Sequence, residues 1–108
     1  MNKSKWYRIA YERGASEAID CFPKTDWMGK SDCIAIADGI LEGIEDSDPR
    51  VMDLCRSPLS GEWAGESLRE IFGRMPSESS MENYETGFSD GFFGQLAKMA
   101  KAEKARFV

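Results

Sequence analysis

Hydrophobic positions along the chain recur at intervals of three and four residues, which is the spacing of an amphipathic α-helix. The clearest case lies within residues 33–44, and its apolar positions are Cys33, Ile36, Ala37, Ile40, Leu41 and Ile44. The acidic positions on the opposite side are Asp38, Glu42 and Glu45. Ser31 or Asp32 is placed to cap the first turn. The pattern predicts a helix with one face in the core.

Longer helical patterns are predicted at both ends of the chain. The first covers about residues 3–21 and is closed by Pro23. Its apolar stripe consists of Tyr7, Tyr11, Gly14, Ala15, Ala18 and Phe22. The second begins at a capping box formed by Ser79 and Glu82 and continues through residue 99. Its apolar stripe consists of Met81, Tyr84, Phe88, Phe92, Leu96 and Met99.

The two terminal segments share a repeated pattern. Residues 11–19 and 84–92 both read Tyr-Glu-x-Gly-x-Ser, followed by an acidic, a small and an apolar residue. The small residues spaced four apart are Gly14 with Ala18 and Gly87 with Gly91. Residues four apart share a helix face, and a glycine inside a helix costs about 1 kcal/mol relative to alanine. We therefore expect these glycines to serve close packing between the two helices.

Shorter helical segments are predicted between these two. Asp48 as cap and Pro49 in the first turn start one, with apolar contacts from Val51, Met52, Leu54 and Cys55. A turn at residues 57–61 leads to another over residues 62–72, for which Gly73 is the C-terminal cap. Strand signals are almost absent. The predicted fold is one all-α domain over residues 1–108, a small helical bundle with two longer terminal helices packed together and two to three short helices between them.

Charge narrows the class of partner. The 108 residues carry a formal net charge of −5, which disfavours non-specific attraction to nucleic acid or to an anionic membrane. Residues 14–97 hold 6 basic and 17 acidic residues, whereas both ends of the chain are basic. If the terminal helices run antiparallel with Gly14 facing Gly91, the basic ends form one pole. That pole would contain Lys3, Lys5, Lys98, Lys101 and Lys104.

Catalytic and cofactor chemistry finds little support in the sequence. The chain has no histidine, the usual acid–base group. Its three cysteines, Cys21, Cys33 and Cys55, are widely spaced and are interpreted as reduced, buried thiols rather than metal ligands. The carboxylate pairs at helical spacing are Asp38 with Glu42 and Glu66 with Glu70. Such pairs are typical of solvated helix faces, so we expect no enzyme activity, no metal and no cofactor.

Aromatic residues are the alternative source of binding energy. Residues 23–31 predict a loop in which Trp27 and Met28 fold back onto the core. Any large aromatic side chain that stays exposed would instead mark a partner surface, because aromatic residues dominate binding hot spots. The candidates are Trp27, Trp63 and Phe93. Phe93 is singled out because it lies off the apolar stripe of its helix.

The chain resembles phage-encoded inhibitors of bacterial defence, such as anti-CRISPR proteins, in its small size, acidity, helical content and lack of catalytic residues. Residues 57–64, Ser-Pro-Leu-Ser-Gly-Glu-Trp-Ala, also resemble a segment of small phage reading frames. The resemblance implies a cytoplasmic inhibitor in a bacterial host that blocks DNA or guide access on a CRISPR effector. Carboxylates that imitate a phosphate backbone would contact the basic effector. The candidates are Asp38, Glu42, Glu45, Asp46, Asp48, Glu62, Glu66 and Glu70.

Two alternatives stay open from the sequence. The small-residue grooves would build a homodimeric structural protein if they met between chains rather than within one chain. The basic pole would bind nucleic acid directly, although the net negative charge disfavours it. The absence of an apolar run of about 20 residues, or of a signal-peptide core, leads us to expect a cytoplasmic protein without membrane contact.

Overall fold

The computed structural model describes residues 5–56, 70, 73 and 77–107. The helices in this part of the chain are α1 (Lys5–Cys21), α2 (Lys30–Asp46), α3 (Pro49–Met52) and α4 (Glu78–Ala105). No strand occurs within these described ranges. The predicted all-α bundle, with the two terminal helices packed together and further helices between them, is confirmed. The helix predicted over residues 62–72 lies outside the described residues, except for position 70, which is helical.

Two of the three predicted N-terminal caps are displaced. Gly29 is the N-cap of α2 and forms no side-chain capping bond, so the prediction that Ser31 or Asp32 caps this helix is wrong. Helix α4 starts after Ser77, whose hydroxyl accepts a hydrogen bond from the Ser80 amide at 3.2 Å. It therefore begins two residues before the position expected from the capping-box pattern.

The predicted start of α3 is confirmed. The Asp48 carboxylate accepts a hydrogen bond from the Arg50 amide at 2.9 Å, and Pro49 is the first helical residue. Proline fits there because the first helical amide has no intrahelical partner in any case. The helix ends at Met52, so Leu54 and Cys55 lie in the following turn rather than in the helix. A two-residue connection, Ser47 and Asp48, thereby joins α2 to α3, and Ser47 adopts the left-handed conformation.

Helix α4 is the central element, because α1 and α2 both pack against it. Gly87 of α4 lies against Tyr7 of α1, and Gly91 lies against Tyr11. From the first contact to the second, the residue number increases by four on both helices, so α1 and α4 run parallel. This corrects the antiparallel arrangement with Gly14 facing Gly91 that the sequence suggested.

Helix α2 runs antiparallel to α4. Lys104 of α4 forms an ion pair with Asp38 at 2.6 Å, and Arg106 donates to the Cys33 sulfur at 3.7 Å. Higher numbers on α4 thus meet lower numbers on α2. Short connections favour antiparallel neighbours, and α2 reverses direction after α1 without packing on it.

The parallel arrangement removes the predicted basic pole. Lys5 begins α1 and lies beside the first turns of α4, whereas Lys98 and Lys101 lie near the other end. At 1.5 Å per residue, this separation along α4 is about 20 Å. Lys104 is in addition neutralised by Asp38. The described members of the predicted basic pole therefore do not lie together, and Lys3 lies outside the described residues.

Small residues of α1 face large residues of α4 across the core. The buried residues of α1 are Ala10, Gly14 and Ala18, and those of α4 include Tyr84, Phe88, Phe92 and Leu96. Tyr11, expected in the apolar stripe, is 42% exposed and lies at the edge of this contact. Helix α2 completes the core with Ala37 and Ile40. Narrow helix surfaces on α1 allow the aromatic rings of α4 to fill the space between the helices.

Glycine permits backbone contact between α1 and α4. A Cβ atom placed on each glycine would lie 2.9 Å from Phe92 N at Gly14, 2.9 Å from Tyr7 Cα at Gly87 and 2.8 Å from Tyr11 Cα at Gly91. Real Cβ atoms essentially never approach other atoms this closely. These small-residue grooves are thus filled within one chain. The homodimer alternative stays a prediction, and in the described part of the chain these glycines contact α1 and α4 of the same molecule.

Candidate functional site

The predicted acidic contact residues divide into two groups. Asp38 is held by Lys104, and Asp48 is held by the Arg50 side chain at 2.9 Å. Hydrogen bonds from the Arg50 side chain and amide lower the pKa of Asp48. Both carboxylates are therefore engaged in ion pairs within the molecule, and their assignment as partner contacts stays a prediction. Glu70 is exposed, and Glu62 and Glu66 lie outside the described residues.

The remaining three, Glu42, Glu45 and Asp46, are all exposed near the C-terminus of α2. We call them the acidic end of α2. Within the described part of the chain they form no ion pair. The last turn of this helix contains no basic residue, and negative charge there opposes the helix dipole. These carboxylates thus lie where they destabilise their own helix.

Gly39 is a residue whose role the sequence did not reveal. It lies inside α2, yet a Cβ atom placed on it would meet nothing within 4 Å. It differs in this respect from Gly43 of the same helix, where a Cβ atom would collide with the side chain of Val51. A glycine in a helix interior costs about 1 kcal/mol relative to alanine. Nothing in the described fold offsets that cost at Gly39.

The loop between α1 and α2 presents Trp27 to solvent, with 76% of its surface exposed. The loop is nevertheless anchored, because the buried Cys33 thiol donates to the carbonyl oxygens of Thr25 at 3.5 Å and Met28 at 3.8 Å. The Met28 amide also donates to the Thr25 carbonyl at 3.0 Å, which closes a turn around Trp27. The expectation that Trp27 folds back onto the core is therefore wrong.

The other two aromatic candidates contribute less to a described surface. Phe93 is partly buried and packs against the core, and its ring meets the edge of Phe92 at a centroid distance of 5.1 Å. This aromatic contact accounts for its position off the stripe, so Phe93 is a core residue rather than a surface anchor. Trp63 lies outside the described residues.

The three cysteines are free thiols in different surroundings. Cys33 is buried, Cys55 is half-buried and Cys21 is exposed, so the prediction of buried thiols is wrong for Cys21. Burial raises the pKa of the Cys55 thiol, and a hydrogen bond with Ser89 partly offsets this effect. Within the described ranges, no group of three cysteine and carboxylate residues is arranged to hold a metal ion.

A surface cavity of about 370 Å³ lies beside Cys21, where α1, the turn after α3 and α4 meet. Its lining residues are Glu17, Cys21, Asp53, Leu54, Arg56 and Phe92. Sequence periodicity could not have indicated this cavity, because its residues come from three separate segments. Its carboxylates and guanidinium are mixed in sign.

None of the helices in the described ranges is both long and apolar enough to cross a lipid bilayer. No protein family, curated protein sequence or solved structure matches this chain. Its function must therefore be inferred from the geometry of its own surfaces.

Proposed function

We propose that this protein is a non-enzymatic binding inhibitor of the anti-CRISPR type. In this proposal the acidic end of α2 occupies a basic nucleic-acid-binding surface on a bacterial defence effector in the host cytoplasm. The observation that supports it is the exposure of Glu42, Glu45 and Asp46 at a helix C-terminus. Carboxylates at that position lie beside the negative end of the helix dipole, which is electrostatically unfavourable.

The physical basis of the proposal is that the negative charge at the acidic end of α2 lowers the stability of that helix. Basic residues in the last turn of α2 would favour the helix, as Lys104 does in the last turn of α4. Acidic residues there become favourable only when a cation or a basic surface neutralises them. A groove that binds nucleic acid concentrates lysine and arginine, and it attracts such carboxylates from a distance.

The test is competition with target DNA. A panel of purified, guide-loaded CRISPR effectors is mixed with the protein, and target-DNA binding is followed by electrophoretic mobility. We expect the native chain to prevent DNA binding by at least one effector, and to do so less well as salt increases. The double variant Glu42→Lys/Glu45→Lys should abolish this inhibition.

The matched control is Glu12→Lys/Glu82→Lys, which makes the same charge change at exposed positions of α1 and α4. It should inhibit almost as well as the native chain. An equal loss of inhibition in both variants would show that the net charge of the protein, rather than the acidic end of α2, causes the inhibition. A native chain that leaves DNA binding unchanged across the whole panel would refute the proposal.

A further inference from the structure

We propose that Trp27 and the exposed face of α2 extend the acidic end of α2 into one docking surface. The inference rests on the proposed function and specifies the partner surface. That partner is a protein with an apolar cleft that accepts an indole ring. Its cleft lies at one end of a groove whose other end is basic.

Trp27 has the properties of a preorganised anchor. Its side chain is 76% exposed, but its backbone belongs to the turn closed by the Met28 amide and the Thr25 carbonyl. The Cys33 thiol ties the same turn to the first turn of α2. Binding through Trp27 therefore requires little further ordering of the loop, and such preorganisation favours affinity.

The surroundings of Trp27 favour a protein cleft as its binding site. Exposed residues of both charges lie near Trp27 in the sequence, namely Lys24, Asp26, Lys30 and Asp32. These four charges sum to zero, so they offer nucleic acid or an anionic membrane no net attraction. A mixed polar rim around a large aromatic residue is instead typical of a protein–protein hot spot.

The middle of α2 allows a partner to approach its main chain. Ala35, Gly39 and Glu42 are exposed and spaced by four and three residues, which places them on one face. Gly39 has no packing role in the described fold, since a Cβ atom there would meet nothing within 4 Å. A partner surface lying on this face would account for the missing side chain.

The length of α2 sets the dimensions of the partner surface. Trp27 lies just before the N-terminus of this 17-residue helix, and Glu45 and Asp46 are the last two residues of the helix. At 1.5 Å per residue the two ends are about 25 Å apart. The apolar cleft and the basic region of the partner should therefore be separated by a similar distance.

The experiment uses an effector that the native chain inhibits, and measures dissociation constants by calorimetry. Trp27→Ala should weaken binding by about thirtyfold or more, as expected for a tryptophan hot spot. Gly39→Gln should weaken binding about tenfold or more while raising Tm by about 4 °C, because glutamine is the better helix former. A residue with a purely structural role would not combine higher stability with weaker binding.

The controls are Ile19→Ala, which removes another exposed apolar side chain, and Ala102→Gln, which adds the same side chain on α4. Both should bind like the native chain. If Trp27→Ala and Gly39→Gln also bind normally while Glu42→Lys/Glu45→Lys does not, the extended surface is refuted and the proposed function stands. If the native chain inhibits no effector, the proposed function fails and this inference fails with it.

Discussion

Gly91 of α4 lies directly against the main chain of Tyr11 of α1, and a Cβ atom at position 91 would come within 2.8 Å of Tyr11 Cα. The neighbouring atoms are backbone, so no side-chain rotation can relieve the overlap. Glycine destabilises each helix by itself, but it lets the two helices pack closely along their lengths, and that packing offsets the cost. The two stripes of small residues thereby determine how α1 and α4 fit together.

The first prediction compares two glycines inside helices. Gly91→Ala should lower the free energy of unfolding by about 1–3 kcal/mol or more, because the added methyl group forces α1 away from α4. Gly39→Ala should raise it by about 0.5–1 kcal/mol, because the same methyl group meets open space. Urea denaturation followed by circular dichroism measures both. A Gly91→Ala variant as stable as the native chain would contradict the packing described for Gly91, and a destabilised Gly39→Ala variant would contradict the open space at Gly39.

The second prediction concerns alkaline pH. The Tyr7 hydroxyl donates a hydrogen bond to Asp90, and this bond raises the pKa of Tyr7 from 10.0 to about 12. The unfolded chain then loses the tyrosine proton before the folded chain does. The stabilisation from this bond is therefore complete below pH 10 and is lost as the pH rises to about 12.

Tyr7→Phe should remove that part of the pH dependence. Urea denaturation at several pH values across this window would show a smaller decline in stability for the variant than for the native chain. Tyr11→Phe is the matched control, since it leaves the hydrogen bond between Tyr7 and Asp90 in place. An unchanged slope in Tyr7→Phe would mean that the bond does not form in solution.

The third prediction ranks the reactivity of the cysteines. Cys21 should react first with iodoacetamide because it is exposed. Cys55 should react more slowly, since half-burial restricts access and raises its pKa, which lowers its thiolate fraction. Cys33 should react only when the protein opens, because its thiol is buried beneath the loop around Trp27.

Peptide mass spectrometry over a time course distinguishes the three sites. In denaturant the three cysteines should react at similar rates, which controls for local sequence effects. Cys33 reacting as fast as Cys21 in the native protein would show that the anchored loop is open. That result would also remove the preorganisation attributed to Trp27.

Much of the helical pattern could be predicted because it depends on neighbours in the sequence. The core face of α2 and the start of α3 at Asp48 and Pro49 follow from side-chain periodicity and local capping. The cap of α4 was displaced by two residues, since several serines near Ser77 can each fill that role. Of the candidate site, exposure of Glu42 and Glu45 followed from the same periodicity.

Sequence alone determined that the chain is helical and that glycines in α1 and α4 require a close neighbour. Only the tertiary structure decided that these helices run parallel, because small residues spaced by four fit either direction equally well. It likewise decided that Lys104 neutralises Asp38, whereas the acidic end of α2 and Trp27 face solvent. Such pairing depends on residues far apart in the chain, and local propensity contains no information about which of them meet.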